Sequence, residues 1–155
     1  MRPPPAAGKV LGLLVAAGLL AGCAQQFYPG PPQPRERIAV VRVAEGVFFR
    51  AVDGAARTPA QALLDIRKPV HLLPGRHTLR VVCVWRAAAG QESLSSSGLV
   101  RSEYIDLEFD AAAGREYVIR ARAGDSGRPE AVLLEDAATG QALASQSCAA
   151  ERRPP

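Results

Sequence analysis

Ile105-Asp106-Leu107-Glu108-Phe109-Asp110 alternates apolar and acidic side chains one for one. Only an extended strand turns that period of two into distinct faces, three apolar side chains on one and three carboxylates on the other. A chain carrying this segment needs a half-buried sheet over an apolar core. The same reasoning makes strands of Ile38 to Val43, Val47 to Val52, Pro69 to Leu73, His77 to Trp85, Tyr104 to Phe109, Tyr117 to Ala123 and Ala131 to Glu135. His77, Leu79, Val81, Cys83 and Trp85 share one face of their strand, with Val82 and Val84 on the other, so its middle is expected to be covered on both sides.

Turn chemistry punctuates these runs. Pro74-Gly75 offers the fixed φ and the φ > 0 position of a type II turn, expected to close a hairpin. Asp136 to Gly140 fits a hairpin loop ending in a Gly bulge before a last strand near Gln141 to Ser145, and Asp53-Gly54 is a third turn signal. One short helix is expected near 59-67: Thr58 can cap it, Pro59 suits its first position, Gln61 completes a capping box, and Leu63 and Ile66 would face the sheets. Short strands with frequent turns point to a single all-β sandwich of about seven strands.

The N-terminus has another origin. Arg2 and Lys9 precede an uncharged run from Val10 to Leu20, the pattern of a secretory signal. About 11 apolar residues cannot cross a bilayer, which takes roughly 20 as helix. The boundaries expected are a signal over 1-22, a Pro-rich tether over 23-36, the β domain over 37-146 and a disordered tail over 147-155. The tether carries Pro29, Pro31, Pro32 and Pro34, favours polyproline-like extension, and at ~3.1 Å per residue could hold the domain about 40 Å from its attachment. Of 19 basic side chains in the 155 residues, Arg2 and Lys9 leave with the signal, so the remainder is near balance against 15 acidic ones. No Lys/Arg stripe with interleaved aromatics offers phosphate neutralisation and stacking, which argues against a nucleic-acid partner.

Leu20-Ala21-Gly22-Cys23, directly after the apolar run, resembles the lipobox of bacterial lipoproteins. The resemblance implies diacylglycerol on the Cys23 sulfur, cleavage before Cys23, and acylation of the new amino group, with palmitate the type of chain attached. The membrane would then be a partner through Cys23. The alternative is ordinary signal cleavage with Cys23 a bystander. Ala24, where an Asp would retain such a protein in the inner membrane, implies an outer-membrane protein facing the periplasm. That compartment permits disulfides, so Cys83 and Cys148 are expected to pair; otherwise Cys83 is a buried hydrophobe and Cys148 a free thiol in the tail.

Val47-Phe48-Phe49-Arg50-Ala51-Val52-Asp53-Gly54 and Val70-His71-Leu72-Leu73-Pro74-Gly75-Arg76-His77-Thr78-Leu79-Arg80-Val81 are similar to the PEGA-type β module: a strand ending in Val-Asp-Gly, then an apolar strand, a Pro-Gly turn and another strand. With Gly114 to Ile119 and Glu135 to Gly140, the chain resembles small proteobacterial lipoproteins. It departs from the module in the long insert between Gly54 and Pro69 and in showing no repeat. The resemblance implies an immunoglobulin/transthyretin-like sandwich used for surface or protein contacts, and brings no catalytic residues with it.

If Pro74-Gly75 closes a two-residue hairpin, His71 and His77 point to opposite faces and cannot share a metal. Asp106, Glu108 and Asp110 suit Ca²⁺ or paired-carboxylate catalysis less well than a solvated strand face, since neighbours in the row lie ~7 Å apart. Arg120 and Arg122 on the next strand are expected to pair with them. Serines 93, 95, 96, 97 and 102 lie in no nucleophile elbow, and Lys68 is the sole lysine after Lys9. The expectation is therefore no enzyme, no cofactor, no metal and no small-molecule substrate, but an accessory binding or structural module with an envelope protein as partner. A glycan or peptidoglycan binder is the alternative, and a hydrolase with an unrecognised site a remoter one. The long connection from Ala87 to Ser102 is either a flexible tip or the binding loop; the candidate surface is Gln91 and Glu92 with Trp85 at the base of the loop, and for Trp85 a place in the core is the favoured reading.

Overall fold

A computed structural model describes residues 24–57, 68–87 and 98–149. These residues form β1 Gln25–Gln26, β2 Ala39–Val43, β3 Val47–Val52, β4 Ala55–Ala56, β5 Val70–Leu72, β6 Gly75–Arg86, β7 Leu99–Arg101, β8 Ile105–Ala111, β9 Glu116–Ala123, β10 Pro129–Asp136 and β11 Ala142–Ser147, with one 3-10 turn at Arg35–Arg37. The first sheet has the order β1-β5-β2-β9-β10-β11. In the second, β4, β3, β6 and β7 follow one another and β8 also pairs with β6. The protein is nearly all β, in two sheets. The helix expected near 59-67 lies outside the described residues, as do the signal, Cys23, Gln91 and Glu92.

Both sheets contribute to one core. Val41, Leu72, Ile119 and Leu134 of the first meet Val52, Leu79, Val81, Leu107 and Phe109 of the second. β8 shows why: its residues alternate buried and exposed without a break, in step with the alternation in the sequence. Val81, Val82 and Cys83 of β6 are all buried, so that strand is covered on both sides in its middle. The edge between sheets is closed by a disulfide joining Cys83 in β6 to Cys148 after β11, with Cα atoms 5.9 Å apart.

Two turns have the geometry their residues favour. Asp53 and Gly54 sit at φ 48° and 79° between the paired Val52 and Ala55, a tight hairpin whose two positive φ values suit Asp-Gly. Gly140, at φ 70°, ends the β10–β11 loop, where its N–H donates to Asp136 O at 2.8 Å.

Pro74-Gly75 differs from expectation. β5 belongs to the first sheet and β6 to the second, so this turn carries the chain across the core rather than closing a hairpin. A Pro-Gly turn reverses direction whichever sheet receives the next strand. Three further strands, β1, β4 and β7, were not expected, because two or three residues carry no alternation to read.

The two flanks also differ. The stretch expected to be a spacer is bound to the domain from its start: Gln25 N–H donates to Pro69 O at 2.9 Å and Phe27 N–H to His71 O at 3.1 Å. The Phe27 ring meets Phe49 edge-on at 5.5 Å. Proline content favours extended chain, but an extended chain whose Gln25 and Phe27 keep N–H groups to donate is also competent to add to a sheet edge. At the other flank Cys148 is buried and Glu103 N–H donates to Ala149 O at 3.2 Å, so the expected tail is ordered at least to Ala149.

Candidate functional site

The outward face of β6 and β8 carries the acidic row. Register places Arg80 opposite Asp106 and Thr78 opposite Glu108. Arg80 donates to both oxygens of Asp106 at 2.7 Å, and Arg76 donates to Glu108 at 2.7 Å. Arg120 pairs instead with Glu135 at 2.8 Å. The expectation of Arg120 and Arg122 on the row fails because β8 and β9, though consecutive, lie in different sheets. The Arg80 hydrogen bond, opposed by burial and helped by the guanidinium charge, holds the Asp106 carboxyl below its usual range. Asp106 and Glu108 are consumed as ion-pair partners on a solvated face, where solvent screening leaves such pairs weak. Tyr104, on the same face and 61% exposed, has the Arg80 guanidinium 6.0 Å from its ring centre.

The histidines serve separate elements. His71 lies on β5, where burial and then the Arg35 charge lower its pKa. His77 lies on β6, its Nδ1 2.6 Å from Asp53 Oδ2 and its Nε2 2.8 Å from Leu73 O. The ring therefore ties the crossover turn to the β3–β4 turn. The hairpin expected to set the two imidazoles on opposite faces is not formed, because β5 and β6 belong to different sheets. Among the described residues no group of three His, Cys, Asp or Glu is arranged to hold a metal.

Two carboxylates brace turns. Burial disfavours the charge on Asp53, but the Thr78 N–H and the His77 ring outweigh it and hold the carboxyl below its usual range. Burial likewise opposes ionisation of Asp136, and the Thr139 and Ala138 N–H groups with the Arg115 charge prevail. A carboxyl whose pKa is depressed by folding stabilises the fold above its unfolded pKa and loses that contribution as pH falls through its folded value. Stability is therefore expected to decline below about pH 4. The double variant Asp53→Asn/Asp136→Asn, with Asn tolerated at the positive φ of position 53, should show a shallower decline, read as urea midpoints from pH 6 to pH 2.

The third region is the end of the molecule where β6 finishes. Trp85 is 8% exposed and belongs to the core, so it is not a surface anchor. Its Nε1 has no hydrogen-bond acceptor among the described residues, and the Arg128 guanidinium lies 5.2 Å from its ring centre. Shallow polar depressions occur beside Tyr104 and Asp106, beside Glu36 and Arg115, and at the turn from Gly124 to Glu130. The first is lined by Ser147 with Glu103 and Asp106, and the last by Ser126 with Asp125 and Glu130. Ser102 Oγ, the one candidate hydroxyl described, is buried, accepts from Cys83 N–H at 2.9 Å and donates to Glu103 O at 2.7 Å, a brace between β6 and the chain entering β8.

Tyr104 and Arg128 stand outside the residues that the sequence points to as a site. Parity identifies the first, since Tyr104 precedes inward Ile105 and so shares the outward face with Asp106. No sequence signal places Arg128 over Trp85, because the two meet through the packing of separate sheets. The chain matches no protein-family model, no curated protein and no solved structure.

Proposed function

We propose that this chain is a lipid-anchored lipoprotein of the bacterial outer membrane, facing the periplasm, whose immunoglobulin/transthyretin-like β-sandwich works by binding as a non-catalytic accessory of the envelope. Export is supported from two independent directions. The leader ending at Leu20-Ala21-Gly22-Cys23 is one. The other, and the observation that carries most weight, is the Cys83–Cys148 disulfide, a bond that persists in an oxidising compartment and is rare in the cytosol. Binding rather than catalysis is supported by what the titratable groups do: Asp53, His77, Asp106, Glu108 and Asp136 are engaged in bracing turns and strands.

Two or three acyl chains at ~0.8 kcal/mol per buried methylene hold a protein durably on a membrane. Mass spectrometry of the N-terminal peptide of membrane-purified protein is expected to show a chain beginning at an acylated Cys23. Cys23→Ser should move the protein out of the membrane fraction. An unmodified Cys23 thiol in the native protein overturns the reading. The partner is an envelope protein, sought by cross-linking in cells.

A further inference from the structure

We infer that His77 is a pH-dependent clasp between the two sheets, closed while its imidazole carries two protons and opened on one side once it carries one. Proton counting carries this. Nδ1 lies 2.6 Å from Asp53 Oδ2, and Nε2 lies 2.8 Å from Leu73 O. A carboxylate and a main-chain carbonyl are both acceptors, so each contact is a hydrogen bond only when the ring nitrogen making it donates. A neutral imidazole has a single N–H, and in either tautomer its bare nitrogen would face an oxygen lone pair at hydrogen-bonding distance. Only the imidazolium fills both contacts.

A protonated Asp53 donating to Nδ1 is the other way to make two bonds, and the surroundings of that carboxyl oppose it. Asp53 Oδ1 accepts the Thr78 N–H at 2.8 Å. Burial disfavours the anion, but that N–H and the His77 ring prevail and keep the carboxyl ionised below its usual range. Among the described residues no other ionisable group bonds the ring. From β8 it faces Phe109, an uncharged ring with its centre 6.4 Å away. Arg76 and Asp110, next along the ladder and opposite one another, belong to the outward side of their strands. From the crossover turn it meets only the Leu73 carbonyl. The Asp53 side chain is about half exposed, so screening weakens the charge attraction and the two directional bonds decide the state of the ring. The His77 side chain is 13% exposed, which leaves little room for water to replace a lost partner.

The clasp spans the fold. Leu73 follows β5 of the first sheet, Asp53 lies between β3 and β4 of the second, and His77 stands on β6. Loss of the second ring proton therefore releases either the crossover turn or the β3–β4 turn. Histidine is the side chain whose charge changes nearest neutral pH, so the release falls where an extracytoplasmic protein can meet it.

Nuclear magnetic resonance on the full chain, from about pH 5 to about pH 8.5, brackets the titration of a free imidazole. On the acid side both His77 ring N–H protons should be visible and protected from exchange with solvent. The amide signals of Asp53, Gly54 and Gly75 should then shift in step with the loss of one of them. A folded ring with a single N–H at the acid end overturns the inference, and so do turn amides that stay still while the His77 ring titrates. In His77→Gln the shift of those three amides should be lost. A shift that persists there assigns the response to another group, His71 included, and also overturns the clasp.

Discussion

Replacing Cys83 and Cys148 together by serine is expected to lower the stability of the fold by about 4 kcal/mol, the chain-entropy cost restored to the unfolded state when a loop of this length is opened. The bridge spans 65 residues of sequence, and within that span lie β7, β8, β9, β10 and β11, so an unfolded chain lacking it gains the freedom of half the domain. Both sulfurs come from core positions, Cys83 at 0% and Cys148 at 5% exposure. Serine therefore also leaves hydroxyls where no water reaches, which adds to the loss. At ~1–2 kcal/mol per molar urea for a domain of this size, the midpoint should fall by roughly 2–4 M. The double Cys83→Ala/Cys148→Ala variant separates the two contributions: it removes the crosslink without burying a hydroxyl, and should retain most of the loss. A midpoint within a few tenths of a molar of the parent protein, for either variant, would mean that the crosslink contributes nothing to the fold. The same measurement on the parent under reducing conditions should fall with the variants.

How much of this was legible in the sequence depends on the range of each signal. The unbroken alternation of β8 made its inward and outward sides readable, and Asp53-Gly54 and Asp136 to Gly140 named their turns, because strand period and turn conformation are set by adjacent residues. Sheet membership is not local. Pro74-Gly75 has the same composition whether it closes a hairpin or crosses the core, and the acidic row has the same spacing whether β6 or β9 lies beside it, so Arg80 and Arg76 could not be chosen over Arg120 and Arg122 from spacing alone. Gln25 and Gln26 are polar, stand just before a Pro-rich run and are too few to alternate; only the edge of β5 makes them a strand. For the candidate site the position is similar. Proximity in sequence to a long connection points to Trp85, Gln91 and Glu92, and burial removes Trp85 from the surface, whereas strand parity alone puts Tyr104 on the outward face. The export motif is read by residue identity at adjacent positions, which is why it was visible without a fold.

Phe109→Ala is expected to cost about 3–5 kcal/mol, the range for truncating a buried aromatic ring to a methyl group. Phe109 is 6% exposed on the inward side of β8, and its ring meets Tyr117 of β9 edge-on, with centroids 5.0 Å apart and planes at 75°. The two residues belong to different sheets, so the contact is one of those that hold the sheets together rather than one that holds strands within a sheet. Tyr117 is fixed on its other side, where its hydroxyl oxygen accepts from Ala112 N–H at 2.9 Å, and a ring so held cannot swing to fill the space that Phe109 vacates. A site that collapses poorly lies at the upper part of the range. The edge-to-face component is separable from the buried area: a cycle of Phe109→Leu and Tyr117→Leu should return a coupling of about 0.5–1.5 kcal/mol. Chemical denaturation of the two single variants and the double variant measures it. Additive losses would show that the rings act only as apolar filling between the sheets, and a loss below about 1 kcal/mol for Phe109→Ala would contradict its place in the core, since truncations at surface sites stay within about ±0.5 kcal/mol.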